Sequence, residues 1–195
     1  MIDLVTHNVP SLYPIIKQKS VDIEFSMISD FGLGALLKTL VATKPGSNIL
    51  ELGTGIGLGL SWILEGADQN TTVVSVDNDP YLISIAEGYF SEDHRVELIC
   101  QDGTKWLSNY DGEKFDLIFA DAWPGKYDSL DRALDLLNDG GIYLIDDMNE
   151  QDTWPERHRK IARNLIDKLE SKEGYAMVKL DWSTGIIIIT KMQLA

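Results

Sequence analysis

From Asn48 to Leu60 the chain reads N-I-L-E-L-G-T-G-I-G-L-G-L: a short apolar run holding one carboxylate, then glycines at 53, 55, 57 and 59 leading into a helical pattern. A strand that breaks into such a loop and resumes as a helix ties the chain to an open α/β architecture. Glycine at alternate positions lets the backbone turn with positive φ and approach a ligand closely, and the helix that follows offers unpaired N–H groups. The alternative use of the loop is to pack the helix onto its strand. The spacing is not that of a dinucleotide loop, because Gly-x-Gly-x-x-Gly would need glycine at Leu58 or Leu60. Glu51, two residues before the first glycine, puts an acidic side chain where a pyrophosphate would otherwise lie, which favours a ligand carrying positive charge.

Apolar runs and helical patterns alternate from Ser47 onward. The strand candidates are 48–52, 72–77, 95–100, 115–121 and 141–146, each largely apolar, as expected for strands covered on both faces. Helical segments fall near 57–66, 80–90, 104–109 and 129–137. Strict alternation predicts a parallel sheet with right-handed crossovers. A longer helix near the C-terminus has a capping-box pattern in Thr153 and Glu156, Pro155 for its first turn, Gly174 to end it, and a buried stripe of Ile161, Leu165 and Leu169. Two further runs, 175–182 and 185–190, are joined by Ser183-Thr184-Gly185, a connection short enough only for antiparallel pairing. The expected fold is therefore doubly wound α/β, with a mostly parallel seven-stranded sheet and one antiparallel strand at or near an edge.

The 195 residues suit a single domain. Residues 47–195 form its core. Residues 1–46, with a helix over 29–43 capped by Ser29 or Asp30, form a helical cover for the cofactor mouth or a subunit contact in a homodimer. No apolar run approaches the roughly 18 residues that span a membrane. The start, M-I-D-L-V-T-H-N-V-P, lacks a basic region followed by a long apolar stretch, so a cytoplasmic location is expected. The lone Cys100 excludes an internal disulfide and a cysteine-based zinc cluster, and a small buried residue is its expected role. A formal net charge of −14, from 31 acidic and 17 basic residues, makes nucleic acid a poor first expectation for the substrate, although a local basic patch can bind it within an acidic chain.

In an open parallel sheet, ligands bind beyond the carboxyl ends of the strands. Here every such end carries acid: Glu51, Asp77, Asp102, Asp121 and the pair Asp146–Asp147. Asp77 closes V-V-S-V-D and is placed to accept both ribose hydroxyl protons. Asp102 can accept from an adenine amino group beside Gly103, or can cap the helix that follows.

The segments I-L-E-L-G-T-G-I-G-L-G, V-V-S-V-D-N-D-P, F-D-L-I-F-A-D-A-W-P-G-K-Y and L-L-N-D-G-G-I-Y-L-I-D-D-M, in this order, resemble the class I S-adenosylmethionine-dependent methyltransferases, with their Rossmann-like fold. Within these the chain is similar to the small O-methyltransferases of the catechol and caffeoyl-CoA type. The resemblance implies that Glu51, Gly53 and Gly55 hold the methionine part of S-adenosylmethionine and that Asp77 holds the ribose. It implies that Asp102 with Gly103 holds the adenine, and that Asn78 and Asp121 also lie at the cofactor. It implies a divalent cation, usually Mg2+, bound by Asp121, Asp146 and the residue after it, where the family commonly has asparagine and this chain has Asp147. Hard oxygen ligands suit such an ion, which would lower the pKa of an acceptor hydroxyl. In a D-x-x-K-x-x-Y pattern the family often supplies a lysine; Tyr127 is kept, but position 124 is proline. With Asp121, Lys126 is the expected catalytic residue, its alternative being a solvated surface lysine. Trp123, Trp154 and Trp182 are candidates for an aromatic pocket, with packing as the alternative.

Overall fold

A computed structural model describes residues 9–193. Most of the N-terminal stretch read for a leader falls on residues 1–8, outside the described residues. In chain order the elements are α1 (Tyr13–Asp22), α2 (Phe31–Ala42), β1 (Asn48–Leu52), α3 (Leu58–Gly66), β2 (Thr72–Asp77), α4 (Pro80–Phe90), β3 (Val96–Cys100), α5 (Gly103–Asn109), β4 (Phe115–Ala120), α6 (Leu130–Asp135), β5 (Leu137–Ile145), α7 (Glu156–Glu170), β6 (Tyr175–Leu180) and β7 (Ile186–Lys191). The seven strands are ordered β3-β2-β1-β4-β5-β7-β6, and β7 is the antiparallel one, next to the edge as expected. None of the described helices is long and apolar enough to cross a membrane.

The chain forms two compact units. One comprises Met1–Ser47 with Thr54–Gln101, the other Asn48–Gly53 with Asp102–Ala195. In the first, the fully buried Trp62 of α3 meets the rings of Tyr13 and Phe31 edge-on at 5.4 and 5.2 Å. Gly34 on α2 permits this, because a Cβ there would overlap the indole. Asp30 caps α2 by accepting from the Leu33 N–H at 2.8 Å, which decides between the two cap candidates. Arg95 joins this unit together, donating to both carboxylate oxygens of Asp93 and to the Leu64 and Ala67 carbonyls at the end of α3.

In the second unit β1, β4 and β5 pair in parallel through Leu50↔Ile118 and Ile118↔Tyr143, and Leu50, Leu117, Phe119, Tyr143 and Leu144 make a fully buried centre. The Tyr143 hydroxyl donates to the Gly125 carbonyl at 2.6 Å, which ties the segment after β4 to β5.

Several expectations needed correction. Helix α1 was not expected; its residues Y-P-I-I-K-Q-K-S-V-D carry no capping side chain and bury only Ile16 and Ser20. Strand β5 begins at Leu137 rather than Gly141, since a register shift opposite Phe115 and Leu117 accommodates the Asn138-Asp139-Gly140 segment in the strand. The Thr153–Glu156 capping box does not form, because α7 starts at Glu156 with Pro155 in the cap position. Its buried stripe is Ala162, Leu165 and Leu169, with Ile161 only half-buried. Gly174 adopts φ +81° in the turn before β6, three residues past the Ser171 cap. Cys100 is exposed rather than buried, because β3 is an edge strand.

Candidate active site

The glycine loop is shaped by contacts within the protein. Gly55 has φ +52° and lies under Phe25, whose Cζ would be 3.2 Å from an added Cβ. Gly57 has φ +94°, and a Cβ there would overlap the Phe90 ring. Both positions thus require glycine even before any ligand is considered. The loop is anchored to β2 at two points in the first unit. Thr54 and Ser75 share a buried hydroxyl–hydroxyl bond of 2.6 Å, and the Gly55 N–H donates to Asp77 at 2.8 Å. The other Asp77 oxygen accepts from the Asp79 N–H at 3.0 Å. Each carboxylate oxygen keeps a further lone pair for a ligand hydroxyl. Asn78 is exposed, and Asp79 caps α4.

The remaining predicted cofactor residues lie in the second unit. Glu51 is fully buried in β1. Gly53 has φ +108°, and a Cβ there would come within 2.9 Å of the Asp121 carbonyl. Asp102 is exposed and caps α5 by accepting from the Lys105 N–H at 2.9 Å, leaving its second oxygen outside the cap. A Cβ on Gly103 would meet Pro124 at 2.8 Å, so the proline at the position of the family lysine packs against a glycine that has room for it.

The acidic ends of β4 and β5 converge. Asp121, Asp146 and Asp147 each offer a carboxylate oxygen, and the three oxygens lie within 4.8 Å of one another. Asp146 is buried, and its carboxyl is pushed up to about 6 by burial and by Asp147; the Asp147 N–H, the Thr184 hydroxyl and Lys126 act against that rise. Thr184 donates to Asp146 at 2.9 Å from the turn between β6 and β7. Asp147 sits at φ +55°, a conformation that strains a non-glycine residue, and accepts from Gln151 at 3.3 Å. An oxygen-only donor set with a carboxyl driven up by burial and by its neighbour suits a hard divalent cation, which would offset both.

Lys126 is buried, at 5 % exposed, which removes the solvated-surface alternative. Burial pulls its ammonium down, and Asp121, Asp147 and Asp146 oppose this. Next to it, Tyr127 is pushed up to about 12 by burial and Asp147, so its hydroxyl stays protonated and faces His158 Nε2 at 3.1 Å. His158, shifted down by burial and Lys126, stacks on Trp154 with 4.0 Å between centroids; Trp123, half-exposed, leans on Tyr127 at 4.8 Å. Trp182 makes no ring contact with this cluster among the described residues. Lys126 and Tyr127 also line a cleft of about 290 Å³ together with Leu130, Ile161, Asn164 and Leu165. Sequence reasoning had no signal for Thr184, Gln151 or His158, which reach these groups from 4 to 38 residues away.

Known proteins share this architecture. The O-methyltransferase TomG from Streptomyces achromogenes, solved in complex with S-adenosylmethionine, superposes with a TM-score of 0.83 at 18 % identity, over 98 % of this chain and 93 % of its own. An O-methyltransferase from Bacillus cereus, solved with S-adenosylhomocysteine, gives 0.81 at 20 % over 97 % and 94 %. In sequence, the "Putative O-methyltransferase" of Mycobacterium avium (strain 104) is 29 % identical over 134 residues, 66 % of this chain. The match spans about three fifths of that relative's length. Residues 50–148, just over half of the chain, match the family described as a methyltransferase domain, and the protein belongs to that family.

Proposed function

We propose that the protein transfers a methyl group from S-adenosylmethionine to a hydroxyl of a small, aromatic acceptor. The observation that carries this is the convergence of Asp121, Asp146 and Asp147 beside buried Lys126, at strand ends of a methyltransferase-family sheet. S-adenosylmethionine supplies an electrophilic methyl on a sulfonium. Glu51 and the glycines at 53 and 55 suit its cationic end, Asp77 its ribose, and Asp102 with Gly103 its adenine; Asn78 flanks the ribose position. Phe25 over Gly55 supports the N-terminal segment as a cover for this end.

Asp121, Asp146 and Asp147 would hold a divalent cation, whose contribution would be to acidify the acceptor hydroxyl. Lys126 steadies the negative charge that develops on the acceptor oxygen, and Tyr127, fixed by His158, limits where that oxygen can lie. Trp123 offers a half-exposed aromatic face to a planar acceptor. The net charge of −14 argues against a phosphate backbone as the acceptor, and the proposed setting is the cytoplasm.

Calorimetry with S-adenosylmethionine and S-adenosylhomocysteine, followed by transfer assays on catechols and phenols with Mg2+, tests this. Donor binding and transfer are expected, with turnover lowered by about a hundredfold or more in Asp121→Ala and by chelator. Folded protein that binds neither compound overturns the proposal; binding without transfer to any acceptor makes the chain a non-catalytic binder.

A further inference from the structure

Between β5 and α7 the chain has neither strand nor helix over residues 150–154, yet this segment is held at both ends. Before it, the Met148 and Asn149 N–H groups donate to the Gly185 and Thr184 carbonyls at 2.9 and 2.7 Å. Behind it stands Arg159, half-buried in the first turn of α7, whose guanidinium donates to the Trp154 carbonyl at 3.1 Å, the Asp152 carbonyl at 3.2 Å and the Gln151 carbonyl at 3.4 Å. A planar fork of fixed donors suits several carbonyls at once. One turn further on, Arg163 takes both carboxylate oxygens of Glu150, but that pair is exposed and adds little. What the segment carries points back to the site. Gln151 donates to Asp147, and Trp154 stacks on His158, whose Nε2 meets the Tyr127 hydroxyl.

We infer that Arg159 is a positioning residue for the methyl acceptor: by gathering the Gln151, Asp152 and Trp154 carbonyls it fixes the Gln151 amide on Asp147 and the Trp154 ring on His158, and through them it sets where Asp147 and Tyr127 stand. Without the guanidinium, water can answer these carbonyls near the surface, so little stability is lost. The backbone that aims Gln151 and Trp154 is then free to turn, and a displacement of about 1 Å at a reacting pair is expensive in rate. All three bonds stay within the segment, so the methyl donor is expected to bind as before. The inference rests on the acceptor site proposed above and needs no assumption about the cation.

The test compares the full chain with Arg159→Met and with Arg163→Met, circular dichroism establishing that each is folded; Arg159→Gln replaces the methionine variant if that one is not. Acrylamide quenching of the Trp154 emission, taken as the difference from the same protein carrying Trp154→Phe, should rise by at least about half in Arg159→Met and stay level in Arg163→Met. With S-adenosylmethionine, Mg2+ and the best catechol or phenol acceptor, Arg159→Met should raise the acceptor KM at least about fivefold and leave the S-adenosylmethionine KM within about twofold, a split that lost stability alone does not produce. In a chain already carrying Gln151→Ala and Trp154→Ala, the same substitution should change the acceptor KM by less than about twofold. Unchanged quenching in the folded Arg159 variant overturns the inference, as does an unchanged acceptor KM or an equal rise in both KM values. Transfer to no acceptor by the unaltered chain sinks the proposed function instead, and the quenching then decides by itself whether Arg159 holds the segment.

Discussion

The two compact units use acidic residues in opposite ways. In the first, each carboxylate at the ligand loop or behind it is occupied by a donor of the protein: Asp77 by the Gly55 and Asp79 N–H groups, Asp79 by the start of α4, and Asp93 by Arg95, which holds it below its ordinary range. In the second, Asp121, Asp146 and Asp147 face one another, and Asp146 is driven up instead of down. Acid in the first unit therefore fixes the backbone, whereas the acid at these two strand ends of the second is gathered against its own kind. A net charge alone does not distinguish these uses; the donors around each oxygen do.

The sharpest way to break that contrast is to remove charge from the crowded side. Asp146 has a folded-state pKa above its unfolded value, so the folded chain binds this proton more tightly and loses stability as pH rises from about 4 to beyond about 6. In a chelator, Asp146→Asn should therefore be more stable than the unaltered chain by on the order of 2 kcal/mol at pH 8 and level with it near pH 4. Urea unfolding across that range checks this, and a difference that does not change with pH removes the notion that burial and Asp147 raise this carboxyl. On the anchored side the sign reverses. Asp77→Ala loses two backbone hydrogen bonds and should cost about 2 kcal/mol at neutral pH, together with donor affinity. An unchanged unfolding midpoint there would mean that Asp77 does not fix the loop. The smallest effect is expected at Asp102, where Ala should cost about 1 kcal/mol and Ser should restore it by capping α5. If the serine variant regains stability but not donor affinity, Asp102 does both jobs; if it regains both, the cap is its whole role.

Much of the frame was legible because it depends on local pattern. The glycine loop, the apolar strands 48–52 and 72–77 and the Ser183-Thr184-Gly185 turn are each specified by residues adjacent in sequence. The carboxylates just past the ends of β4 and β5 were legible for the same reason, since the residues that follow a strand are known once the strand is. The burial of Lys126 was not, because it arises from elements distant in sequence closing around a side chain that is usually solvated. His158 was hidden likewise: its bond to Tyr127 crosses 31 residues and needs α7 in place. Helix α1 carries weak amphipathicity and no cap, so local signals could not announce it.

Thr184 gives the acidic cluster a timetable. Its hydroxyl reaches Asp146 from the turn that delivers β7, and β7 lies between β5 and β6 in the sheet. During synthesis β6 emerges first but has no seat until β7 arrives beside β5, so both strands must dock before the turn can meet the aspartate. Ribosomal chains still lacking β7 would hold the glycine loop and all three aspartates, yet would not have the threonine that steadies one of them. The cluster is thus finished only after β7 has been made and docked.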